Sequence, residues 1–131
     1  MNVTTKSRTV YSEATRRSES NVLPIKLSET PNGYPRIDVD PPYELFGEFL
    51  RAEHRVERAI RLLEATVQVT SGEREHFFAW QDYATLDLDH PSKTAVVEGD
   101  FYGAGVPVKS IMPLDQFAVV VEAWAHFVRD R

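Results

Sequence analysis

The apolar residues of this chain change their spacing twice, and those changes limit the fold more than any other feature. From Tyr43 to about Val67, apolar side chains recur at Phe46, Phe49, Leu50, Val56, Ile60, Leu63 and Val67, which is one face of an amphipathic helix. Asp40 ahead of Pro41 and Pro42 suits a helix start, and Ser71-Gly72 suits a stop. From Arg74 to Tyr102 the pattern turns to that of strands. His76 to Trp80 is aromatic-rich, Thr85 to Asp89 (TLDLD) alternates strictly, and Thr94 to Tyr102 is β-branched, then aromatic. His90-Pro91-Ser92-Lys93 and Gly103 to Gly105 read as turns, and Val106 to Ile111 as a further strand. From about Pro113 to Arg129 the helical period returns, with Leu114, Phe117, Ala118, Val121, Trp124, Ala125 and Val128 on one stripe.

The beginning of the chain is weaker in signal. Residues 1–20 are rich in Ser, Thr and Arg and read as a loosely held tail, or an edge strand near Arg8 to Glu13. Asn21 to Leu27 reads as a strand that Pro24 confines to a sheet edge, and Arg36 to Asp40 as another short strand. The expected fold class is therefore α+β in a single domain spanning residues 1–131. An antiparallel β-meander of three to five strands carries two amphipathic helices packed on one face.

Composition narrows the function. The chain contains no cysteine, which removes thiol catalysis and zinc ribbons and fits a reducing, cytoplasmic setting. No apolar run reaches the roughly 20 residues of a membrane span, and Met1 to Ser20 lacks the apolar stretch of a signal peptide. Residues 1–65 balance ten acids with ten bases, whereas residues 66–131 hold ten acids and five bases. The net charge of −5 therefore resides in the second half, a distribution that repels nucleic acid and attracts a basic protein partner.

Four histidines, at 54, 76, 90 and 126, lack ligand spacing, so neither a metal site nor a cofactor is expected. Arg51, Arg55, Arg58 and Arg61 would line one helix face, but Glu48, Glu53, Glu57 and Glu64 interleave with them, as on a solvated, salt-bridged surface. The acids of the meander are more informative. Asp87 and Asp89 share one face of their strand, and Glu98 and Asp100 share a face of the next. If these strands pair, four carboxylates crowd one exposed face at a cost in repulsion, which points to a use. His76, Phe78 and Trp80 alternate with Phe77 and Ala79, placing one aromatic set beside the acids, and aromatics rimmed by charge suit a protein interface. Carboxylate catalysis needs a cleft that desolvates one group, which alternating surface acids do not offer. No catalytic residue is assigned. Phe78, Trp80, Asp87, Asp89, Glu98 and Asp100 are the candidate partner-binding residues.

The helix YELFGEFL…AIRLLEA, the strands HFFAW, YATLDLD and AVVEGDF, and the closing helix PLDQFAVVVEAWAHFV together resemble small immunity proteins of bacterial polymorphic and contact-dependent toxin systems. The resemblance covers about two-thirds of the chain, is one of organisation, and carries no catalytic residue with it. It implies an inhibitor that binds a basic toxin domain, such as a nuclease, through its acidic face. Two other roles stay open at this level: a small enzyme using Asp and His residues, and an adaptor domain that binds a peptide along an edge strand.

Overall fold

The computed structural model describes residues 24–131 in full and the backbone of one further strand, Ser7–Val10. That strand, β1, pairs antiparallel with β2 (Ile25–Glu29), which pairs with β3 (Pro35–Val39). β2 is thus a central strand, contrary to the edge position that Pro24 suggested. Pro24 stands immediately before the strand, so no ladder hydrogen bond is lost to it. The remainder of the proposed N-terminal tail lies outside the described residues.

Two helices follow where a single one was expected: α1 (Glu44–Arg51) and α2 (Val56–Ser71). Nothing in Ala52-Glu53-His54-Arg55 is a helix breaker. The break is tertiary, because the Trp124 indole Nε1–H donates to the Glu53 carbonyl at 3.1 Å. Glu53 itself is buried, its carboxylate held by Arg58 Nε at 2.8 Å and Gln81 Nε2 at 2.8 Å. The interruption also rotates the buried stripe. Val56 and Val67 are exposed, while Ala59, Leu62, Ala65, Thr66 and Val69 face inward. α2 ends as expected, on Gly72 in the left-handed conformation (φ 85°).

The meander is a four-stranded antiparallel sheet in chain order: β4 (His76–Trp80), β5 (Ala84–Asp89), β6 (Thr94–Gly99) and β7 (Val108–Pro113). It leads into α3 (Leu114–Arg129). Its period-two alternation is realised fully. Ala84, Leu86, Leu88, Ala95, Val97 and Met112 are buried on the inner face beneath the helices, and their neighbours along each strand point the other way. Phe46, Phe49, Leu62, Phe117, Val121 and Trp124 supply the helical side of this core, and Ile25, Leu27, Ile37 and Val39 extend it under the first sheet. The protein is α+β, and among the described residues two sheets and three helices share this set of buried side chains. No helix of the described residues is long and apolar enough to cross a membrane.

Candidate functional site

Among the described residues no helix covers the outer face of the meander, and the strand register arranges it in three rows. His76, Asp89, Thr94 and Pro113 form the first, Phe78, Asp87, Val96 and Ile111 the second, and Trp80, Thr85, Glu98 and Lys109 the third. Three large apolar side chains stand open here: Trp80 is 70% exposed, Ile111 53% and Phe78 45%. The Phe78 and Trp80 rings lie 6.0 Å apart, tilted by 37°, so they form one aromatic ledge along β4. Ile111 closes the opposite side of the face. The sequence pattern placed this strand at Val106 to Ile111 and did not single Ile111 out; the observed strand runs on to Pro113, and the inward Met112 sets Ile111 on the outer face.

The candidate acids divide into two kinds. Asp87 and Glu98 are on the open face. The Asp87 carboxylate accepts from His76 Nε2 at 2.5 Å, and Glu98 stands opposite Lys109 in the register. Asp89 and Asp100 serve turns instead. Asp89 accepts from the Ser92 amide at 2.9 Å and the Ser92 hydroxyl at 2.6 Å, and these hydrogen bonds hold its carboxyl below the usual aspartate range. Asp100 lies past the end of β6 and accepts from the amides of Ala104 and Gly105, both at 3.0 Å. No two of the four acids stand opposite one another across a strand pair. The crowding expected from the sequence is therefore relieved by register, which sets Asp87 between Phe78 and Val96 and Glu98 between Thr85 and Lys109.

Several of the other charged or histidine side chains have structural occupations. His90 Nδ1 donates to the Val69 carbonyl at 2.8 Å, tying the end of α2 to the β5–β6 turn. His54 packs edge-on against Tyr34 at 5.6 Å. The arginines do not form a stripe, because the break between α1 and α2 separates them. Arg51 pairs with Asp38 and Glu48, and Arg58 with Glu53. Among the described residues no group of three His, Cys, Asp or Glu side chains is placed to hold a metal ion. The His76–Asp87 pair sits on the open face with both side chains nearly half exposed, outside any cleft that would desolvate it.

Comparison with protein-family models, curated protein sequences and solved structures finds no match.

Proposed function

We propose that this chain is a protein-binding inhibitor of the immunity type, which occludes a basic toxin domain, such as a nuclease, with the outer face of its meander. The observation that carries this reading is the uncovered ledge of Phe78 and Trp80 beside the carboxylates of Asp87 and Glu98. An exposed aromatic in this setting is an anchor in search of a pocket, and desolvating it against a partner supplies most of the affinity. The acids contribute speed and choice. A surface of net charge −5 draws in a basic partner and repels polyanions such as nucleic acid. Asp89 and Asp100 shape the turns that hold the face and are not primary contacts in this reading.

The test is a paired capture. Immobilised wild-type protein and its Trp80→Ala variant are exposed to a panel of purified basic toxin nuclease domains, and nuclease activity is measured with each. The expected result is inhibition of one domain by the wild type and a loss of at least about tenfold in affinity for the variant. A domain inhibited equally by both proteins would remove this face from the interface.

A further inference from the structure

The two sheets have four outer edges, those of β1, β3, β4 and β7, where a foreign chain could add, and the last three differ in how they are guarded. The outer edge of β3 is closed by α1: Arg51 Nε donates to the Ile37 carbonyl at 2.9 Å, and Gly47 lies so close that a Cβ there would meet the same oxygen at 3.0 Å. The outer edge of β7 is blunted. The Leu114 amide donates to the Lys93 carbonyl, which sets the ladder so that Lys109, Ile111 and Pro113 are the residues aimed away from β6. Pro113 has no amide proton and Lys109 brings a charge, both of which discourage pairing.

Among the described residues the outer edge of β4 has no such guard. The His90 amide donates to the Glu75 carbonyl at 2.9 Å and the Gln81 amide to the Ala84 carbonyl at 2.7 Å. Odd-numbered residues of β4 therefore bond β5, and His76, Phe78 and Trp80 turn their amides and carbonyls outward. Among the described residues no backbone group pairs with them. On the inner side of this strand is a cleft of about 90 Å³, walled by Phe49, Leu62, Phe77, Ala79 and the buried Glu53, with the exposed Arg58 and Arg61 at its rim.

We propose that β4 is a docking edge that takes an extended segment of a partner protein as a fifth strand, with Lys or Arg side chains alternating with apolar ones. This rests on the reading that a basic partner binds the outer face, and adds that the contact includes backbone pairing. Side chains of an added strand alternate between the two faces. Those on the outer face meet the Phe78–Trp80 ledge with Asp87 behind it, where a cation stacks and pairs. Those on the inner face meet the apolar cleft, from whose rim Arg61 repels a basic residue. Charge thus sets which residues face which way. A second copy of this chain fits poorly, because it brings the same acids and a net charge of −5 to its own image.

The probe is a synthetic heptapeptide, Lys-Leu-Lys-Val-Lys-Leu-Lys, titrated into the full chain with amide hydrogen exchange read by NMR. The amides of Phe78 and Trp80 are expected to slow by about tenfold or more at saturation. The same peptide, N-methylated on the amides that would face β4, should bind about tenfold more weakly, and this control leaves the protein unaltered. Equal binding of the methylated peptide, or no slowing of the Phe78 and Trp80 amides, overturns the proposal. So does slowing that grows with protein concentration without peptide, since a second copy then covers the edge. If these amides do not slow while binding still weakens in Asp87→Asn, the edge is wrong and the acidic face stands. If they slow equally in wild type and in Asp87→Asn/Glu98→Gln, the edge stands and the acidic face falls.

Discussion

Several single residues are held in this fold by geometry that leaves no alternative. Gly99 ends β6 where a Cβ would lie 2.3 Å from the Tyr83 carbonyl oxygen and 2.7 Å from the Ala84 Cα, both backbone atoms that cannot step aside. Gly99→Ala should cost about 2–3 kcal/mol of stability by urea denaturation, because the strand pair itself must part. A result within about 0.5 kcal/mol of wild type would show that the β5–β6 pair adjusts freely here. Acid sensitivity has an equally local origin. Burial alone would raise the Asp38 carboxyl, but hydrogen bonds from Arg36 and the charges of Arg51 and Arg36 outweigh it, and the net effect is a lowered value. Asp89 is lowered as well, by Ser92. A carboxyl whose folded value lies below the unfolded one, usually about 3.9, stabilises the fold above that value and loses the contribution as pH falls through the folded value. The urea midpoint should therefore fall below about pH 4, and it should fall less steeply in Asp38→Asn and Asp89→Asn. An unchanged slope in both variants would assign the acid sensitivity to other groups.

At the scale of elements, the connection between α1 and α2 shows what apolar periodicity can and cannot reveal. The strands of the meander were legible because each alternates within itself: TLDLD places Leu86 and Leu88 inward whatever its neighbours do. The stripe of α3 was legible for the same reason, and of its expected residues only Ala118 is less than fully buried. Residues 43–71 were different. Their break depends on an indole 71 positions away that takes the Glu53 carbonyl, and no local pattern encodes that. Counting straight through the break put Val56 and Val67 in the core and missed Ala59 and Leu62. The two phases are distinguishable by substitution. Val67→Lys should change stability by no more than about 0.5 kcal/mol, whereas Leu62→Ala should cost about 2–5 kcal/mol. A severe loss on Val67→Lys would restore the continuous helix. Trp124→Phe keeps most of the packing but leaves the buried Glu53 carbonyl without its donor, and about 1–3 kcal/mol should be lost.

Across the whole molecule, charge and shape separate the two faces of the meander. Apart from the cleft beside β4, the inner face of the meander is committed to the core, so the other meander residues free to meet a partner stand on its outer face and rim. The location of this face was readable from alternation, as was its aromatic ledge. The division of labour among its acids was not, because it depends on where the turns close: Ser92 claims Asp89, and the loop amides of Ala104 and Gly105 claim Asp100. Removing all four charges together would therefore mix a binding effect with a loss of turn structure. Asp87→Asn with Glu98→Gln avoids this, since neither side chain closes a turn, and stability should stay within about 0.5 kcal/mol of wild type. Association of this variant with a basic partner should slow, while dissociation changes little, because long-range attraction acts on the encounter. The slowing should shrink as salt rises, since exposed charges are screened beyond about 8–10 Å near physiological ionic strength. Trp80→Ala should do the reverse, leaving association nearly intact, speeding dissociation, and costing on the order of 2 kcal/mol or more of binding. Stopped-flow association rates at low and high salt separate the two. An association rate unchanged in the double variant at low salt would mean that the acids of this face take no part in recognition.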